Sequence, residues 1–418
     1  MVNAPIEPAR PVIDWSLFTW TPMRVVAGAA LMLLLAGGVS LLQYSQATDL
    51  VLPNGAPVGG DFAAFYAAAK AAAAGAPAGP YDAATFENFL KEVGPPLDRY
   101  GLTWQYPPTF YLIILPLAFL PFTFGYLLWS GGAALAFLSL LRGRLLSKAY
   151  TPGVTLLAVI ASTTFFQAII TGQNGFLTAS LLILAAWRPD ARPIIAGLAA
   201  ALLTVKPQLG VLIPIAYLAG GHWRAFGVAA TGSVALAAMA TAAFGVEAWV
   251  AFFQSAEQTA IYLQAGVMPL HKATTPFAFF VHAGVDATLA GAAHAILAAA
   301  AAICVFWVWR RLKDPELRLA SVCAAVFFVA PYGYYYELIV LAPPVVILVQ
   351  RGLRSGFLKL EELVITAMVL GPMALPSPEV KVGFSAGFPV VALVALGVWR
   401  RVAHDACAAP QQAPILDR

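Results

Sequence analysis

Of 418 residues, 61% are hydrophobic and only 11% are charged, where soluble domains carry about 25% charged residues. That balance excludes a string of water-soluble domains and points to an all-α polytopic membrane protein. The formal net charge is only +4, and no nucleic-acid partner is expected. The cysteines are Cys304, Cys323 and Cys407. Two lie in apolar segments and one near the C-terminus, so no disulfide framework is implied. No CxxC or HExxH pattern occurs, so no zinc site is expected.

Residues 1–24 read as a Pro-containing tail with Arg10 and Arg24. It is too long and irregular for a signal peptide, and the apolar run 25–43 after it reads as an uncleaved first span. Residues 44–105 form a first external loop with six acidic and three basic residues. Within it, 62–76 is Ala-rich with Phe62, Phe65 and Tyr66 near one end. Residues 82–93 make a second short helix, with Asp82 as its N-cap after Tyr81. Both are expected to be amphipathic and to lie at the membrane surface.

The chain re-enters at Trp104-Gln105-Tyr106-Pro107-Pro108. Residues 106–141 are almost wholly apolar, broken by Pro116 and Pro121, and are followed by Arg142, Arg144 and Lys148. Further spans are expected near 152–171, 175–187, 193–205, 208–220 and 225–245. A second external loop is expected at 247–286, opening on Trp249, Phe252 and Phe253. Later spans fall near 288–309, 319–331, 336–350, 363–375 and 384–399, with a tail at 401–418. This makes about 12 crossings in one domain, residues 25–400, although several runs fall short of the ~20 residues a straight crossing needs. Short, proline-broken segments suit backbone that lines a cavity.

Eighteen of the 24 Lys and Arg residues fall in alternate connections. Keeping positive charge inside puts both termini in the cytoplasm and both long loops outside. The turns at 172–174, 206–207, 332–335 and 376–383 are then also outside. The segment 106–141 must cross an odd number of times, although its length and prolines suit two short crossings.

Two charges fall inside apolar runs, Lys206 and Glu337. A charge at membrane depth is costly unless paired or wet, so it marks a functional site by default. Both lie at the outer ends of their spans, as do Gly172-Gln173-Asn174, the Tyr106 turn and Asp61. Simpler roles exist for each. Asp61 suits a cap for the helix beginning at Phe62. Lys206 suits an interfacial lysine beside a proline kink. Gln173 and Asn174 suit a turn, His271-Lys272 a solvated pair, and Tyr-Pro-Pro a helix start. Trp249, Phe252 and Phe253 suit an interface belt. His222, His294 and His404 read as structural.

Taken in order, Gly60-Asp61-Phe62 with Tyr66, Tyr81-Asp82, Tyr106-Pro107-Pro108, Gly172-Gln173-Asn174 and Lys206-Pro207-Gln208 resemble glycosyltransferase family 87. That is the GT-C group of polyprenol-phosphate-mannose-dependent mannosyltransferases. The resemblance runs over roughly residues 55–350. It implies a GT-C fold with an extracytoplasmic active site built on the first external loop. It also implies a polyprenyl-monophosphate sugar donor, most simply of mannose, and Asp61 as general base. The late family segment reads Ser-Pro and then Tyr-Asp; here it is Ala330-Pro331 and then Tyr336-Glu337.

Inverting transfer fits this set. A base takes the acceptor proton as the oxygen attacks the anomeric carbon, and a cation steadies the leaving phosphate. Lys206, His271 and Lys272 are the candidate cations. Tyr66, Tyr81, Asp82, Tyr106, Gln173, Asn174, Gln208, Tyr336 and Glu337 are the candidate substrate contacts. A monophosphate leaving group and the lack of an acidic cluster predict no metal and no cofactor. The acceptor is expected to be a glycolipid or glycan, and the setting a bacterial inner membrane. A transporter or flippase would also carry broken helices and intramembrane charges. It predicts an internal repeat, and the two long loops share no pattern.

Overall fold

A computed structural model describes residues 21–53, 55–94, 101–147, 151–265, 270–370 and 387–408. Five helices are long and apolar enough to cross a membrane: Pro22–Ser45, Phe122–Leu145, Trp223–Gln264, Ala287–Arg311 and Tyr335–Ser355. Pro152–Ile160 and Thr163–Ile170, bent by 53°, make a sixth if they count as one broken span. The chain is therefore a multi-pass membrane protein. Phe62–Ala73, Pro108–Phe119, Gly175–Ala186, Pro193–Val205 and Pro207–Gly220 are apolar but shorter. Among the described residues there is no β-strand, only isolated bridges.

The proline-broken segment 106–141 divides at Leu120-Pro121. Before the break, Pro108–Phe119 is too short to cross, at about 18 Å for 12 residues against a hydrocarbon core of about 30 Å. After it, Phe122–Leu145 is long enough on its own. In place of the two short crossings that the prolines suit, the segment has one helix too short to cross and one of full length.

Two stretches differ from the sequence reading. The segment 247–264, expected to open a loop, continues the 42-residue helix Trp223–Gln264. That helix breaks direction at Gly245, with φ 80° and ψ 167°, which a β-carbon would strain. Trp249 Nε1 donates to Thr241 Oγ1 across the break at 2.9 Å. At the C-terminus, Gly387–Ala408 runs past the expected end of the last span. Arg401, placed by sequence in the tail, is buried and pairs with Glu361. The outer turn at 376–383 lies outside the described residues.

The helix Phe62–Ala73 is a correction as well. It does not lie on a surface: Phe62 to Ala69 and Ala71 are all buried. Apart from Lys70 its residues are alanine and aromatic, so it has no polar face, and a helix apolar all round belongs in a core. Phe65 meets Trp104, Tyr106, Phe110 and Trp129 with ring centroids 5.4–6.2 Å apart. The following helix, Ala83–Val93, is amphipathic as expected, burying Phe86 and Leu90 and exposing Glu87 and Glu92. A second core gathers around Gly175–Ala186 and Pro315–Val329, both buried along most of their length.

Phe65→Ala is expected to destabilise the detergent-solubilised protein by about 3–5 kcal/mol, the usual range for an aromatic truncation in a core. Glu87→Ala, on the exposed face, should stay within about 0.5 kcal/mol. Thermal or denaturant melts of the two variants check the pair.

Candidate active site

Two glycine turns cross at the base of the site. Gly59 and Gly60 have φ of 76° and 53°, and Gly172 has φ 57°. The two stretches touch backbone to backbone, and Asp61 N donates to Thr171 O at 2.8 Å. A β-carbon on Gly172 would sit 2.4 Å from Gly59 O, and one on Gly60 would sit 2.8 Å from Thr171 Cα. Trp129 Nε1 locks the second turn by donating to Gly172 O at 3.0 Å. The positive φ and the close approach both require glycine here.

The crossing sets the side chain after each glycine against the other. Gln173 Nε2 donates to Asp61 Oδ2 at 2.6 Å. The amide must face this way, because an ionised carboxylate only accepts. Gln173 Oε1 is left to accept from the Tyr106 hydroxyl at 3.1 Å and from Asn174 N at 3.3 Å. Asp61 stands at the N-terminus of Phe62–Ala73 but makes no capping bond with its side chain. Its carboxylate is turned instead toward Gln173 and a cavity.

Across that cavity, Lys206 Nζ donates to Asn174 Oδ1 at 2.8 Å and forms an ion pair with Glu337. Lys206 and Glu337 are only 5% and 2% exposed, so the lysine does not reach toward an interface. Pro207 explains where Lys206 points. It disfavours helical backbone at the residue before it, and Lys206 has φ −142° and ψ 68°. The Tyr106 and Tyr336 rings flank the ammonium at 5.6 and 5.7 Å. The other oxygen of Glu337 accepts from Tyr334 N at 3.1 Å. One carboxylate thus caps its own turn and neutralises the lysine.

The cavity, about 380 Å³, is lined by Asp61, Tyr106, Gln173, Lys206, Gln208, Tyr336 and Glu337 among others. Asn174 lies just behind the wall, and its Nδ2 finds no partner among the described residues. Lys272 is half-buried, and its charge acts on Asp61. Its segment is pinned to the Tyr334 turn by Thr274 N donating to Gly333 O at 2.8 Å. His271 lies in the same short turn, Leu270–Lys272, but its side chain is outside the described residues. Among the described residues, no group of three or more His, Cys, Asp or Glu side chains is placed to hold a metal ion.

Burial raises the Asp61 carboxyl above its ordinary value of 3.8, opposed by the Gln173 hydrogen bond and by the charges of Lys272 and Lys206. A raised carboxylate beside a cavity is a stronger base than a free one and marks a candidate functional group.

Besides Asn174 and Lys272, three more residues from the sequence reading do not line the cavity. The Tyr66 hydroxyl donates to Leu120 O at 2.7 Å and holds its helix against the Pro121 break. The Tyr81 hydroxyl donates to Tyr106 O at 2.7 Å and positions the Tyr106 loop. Asp82 is an exposed cap, accepting from Thr85 N at 2.8 Å. Conversely, Phe252, Thr259 and Leu263 line the cavity from the helix that was expected to be a loop. Their apolar spacing beyond Trp249 was the available signal. Tyr332 and Tyr334 line it as well.

Lys206→Met should destabilise the protein by about 3–5 kcal/mol, because Glu337 is left buried and unpaired. Lys206→Met with Glu337→Leu should recover most of that loss. Melting curves of the single and double variants decide it.

The family model of glycosyltransferase family 87 matches residues 104–331, more than half of the chain. No match was found among curated proteins or among solved structures. The matched stretch carries Tyr106, Gln173, Asn174, Lys206, Gln208 and Lys272, and the folded chain adds Asp61 from before it and Glu337 from after it. The chain belongs to glycosyltransferase family 87.

Proposed function

We propose that this glycosyltransferase moves a sugar, mannose by family resemblance, from a polyprenyl monophosphate to an acceptor hydroxyl of a glycolipid or glycan. The reaction inverts the anomeric centre, with Asp61 as general base, in a GT-C fold opening to the extracytoplasmic side of a bacterial inner membrane. The alternation of basic connections supports that orientation, with both termini cytoplasmic. The observation that carries the reading is the Asp61 carboxylate, held at one oxygen by Gln173 and facing a cavity with Lys206 on another wall.

In this mechanism Asp61 takes the acceptor proton as the acceptor oxygen bonds to the anomeric carbon. The bond from that carbon to the phosphate oxygen breaks on the opposite face, and the phosphate leaves with the electron pair. Lys206 is already neutralised by Glu337, so it serves as a fixed hydrogen-bond donor. Lys272 makes no ion pair among the described residues and supplies net positive charge, together with His271. Gln173 orients Asp61, and Asn174 orients Lys206. Tyr106, Gln208, Tyr336 and Glu337 bound the sugar, while Tyr66, Tyr81 and Asp82 shape the loop around it.

Depth supports a lipid-borne donor. Gly175–Ala186 joins the cavity at Asn174 to Trp187 toward the other face, and its 12 residues span about 18 Å. With Trp187 taken at the inner interface and the helix upright, a core of about 30 Å would put the cavity floor roughly 10 Å below the outer interface. The kinked helix adds Phe252 and Leu263 to the wall, apolar surface for a prenyl chain.

Asp61→Asn should lower sugar transfer from polyprenyl-phosphate-mannose by about 10²–10⁴-fold, the usual worth of a general base. Full activity in that variant would remove the assignment, and lipid translocation without transfer would favour a flippase. The wild-type acid limb of kcat/KM should lie above 3.8, with the rate rising as pH ionises Asp61. Gln173→Leu removes an interaction that favours the ionised form, so the limb should move to higher pH. Asp61→Asn should leave the melting temperature at neutral pH unchanged or higher. A raised carboxyl holds its proton more tightly in the folded state, so its contribution to stability falls as pH rises through that value.

A further inference from the structure

The end of the bundle opposite Asp61 holds a second polar cavity, of about 820 Å³. Two helices fix its place. Phe122 packs on Phe62 at 5.2 Å, and Arg144 lies 22 residues further along that helix, roughly 33 Å away. The helix Tyr335–Ser355 begins beside Lys206 and ends with Arg351 and Arg354. Arg144, Arg188, Arg192, Arg351 and Arg354 line this cavity, with Asp314 and Glu316 as its carboxylates.

Those carboxylates are already engaged. Arg351 pairs with Asp314, with Glu316 at 3.1 Å and with Asp405 at 2.6 Å, and Arg354 pairs with Glu316 at 3.2 Å. Asp314 also caps the helix Pro315–Val329, accepting from Leu317 N at 3.0 Å. Arg144, Arg188 and Arg192 make no ion pair among the described residues, and Arg144 and Arg192 are close enough to repel each other. Like charges held together without a counterion leave a field that an anion would relieve.

The turn that aims two of these arginines is itself strained. Arg188 has φ 51°, left-handed backbone for a side chain with a β-carbon. Its carbonyl accepts from Ala191 N at 3.1 Å and Arg192 N at 3.2 Å, which closes the turn over the cavity. Non-glycine residues persist in this region where the surroundings impose it, and such strain gathers at binding sites.

We propose that this cavity binds a phosphate-bearing anion between Arg144, Arg188 and Arg192, the natural source being the headgroup of an anionic membrane lipid. Guanidinium forks match phosphate oxygens two at a time and are weakly hydrated. Basic pockets between spans on the side where positive charge gathers take lipid phosphates. Trp187, whose ring lies 5.8 Å from the Arg188 guanidinium, supplies the interfacial aromatic beside it.

The test is a thermal melt of the full-length protein in neutral detergent at constant ionic strength. The probes are short-chain phosphatidylglycerol, short-chain phosphatidylcholine and inorganic phosphate. Phosphatidylglycerol should raise the melting temperature saturably, and phosphatidylcholine should not. R144Q/R192Q should weaken the apparent affinity by about tenfold or more without lowering the melting temperature in the absence of anion. An equal shift with inorganic phosphate supports the same site filled from solution. No shift with either phosphate, or the same shift in the double variant, overturns the proposal. If the double variant does not fold, R192Q alone is read by native mass spectrometry of bound phosphatidylglycerol, and undiminished binding there overturns it as well.

Discussion

At Gly60 and Gly172 two turns far apart in sequence meet with no room for a side chain between them. The site depends on this contact. It sets the backbone of Asp61 against Thr171 and thereby brings Gln173 within one hydrogen bond of the carboxylate. Tyr126 and Trp129, both on Phe122–Leu145, hold the outer sides of the crossing through Ile169 O and Gly172 O. The long helix therefore serves as the post against which the Gly172 turn is clamped, and through it the Gly60 turn.

The second constraint is electrostatic. Lys206, at the break between Pro193–Val205 and Pro207–Gly220, and Glu337, in the first turn of Tyr335–Ser355, are both buried. Neither is tolerable at this depth alone. Together they are neutral, and Asn174 on one side and Tyr334 N on the other take up their remaining hydrogen-bonding capacity. The pair ties three elements into one wall. Because it is neutral, Asp61 stands out as the uncompensated charge lining the cavity, with Lys272 acting on it from behind the Tyr334 turn.

The two ends of the bundle are built to different rules. At the Asp61 end, helices are short, broken by prolines and capped by turns, which leaves backbone and polar side chains around a sunken space. At the opposite end, long helices finish in arginines, and three carboxylates from two helices gather on Arg351. Broken helices suit a place where a ligand must reach polar groups within the membrane. Arginine-rich ends suit contact with phosphate at the interface.

Much of this was legible in the sequence. Apolar runs too long for soluble helices mark a membrane protein, and Lys206 and Glu337 stand out because membrane depth makes any charge conspicuous. Local rules also sufficed for Asp82 as a cap and for the division of 106–141 at its prolines. What local rules cannot supply is the identity of a neighbour. Asp61 reads equally well as a helix cap until Gln173, 112 residues away, takes its carboxylate. The Ala-rich segment after it reads as a surface helix until aromatic rings from 104–129 surround it. Residues 247–264 read as loop because Gly245 breaks the period, although the helix resumes beyond it. Composition and periodicity determine which residues leave water. Only packing decides which of them meet, because a contact between distant segments depends on the path of the whole chain and not on the residues beside either partner.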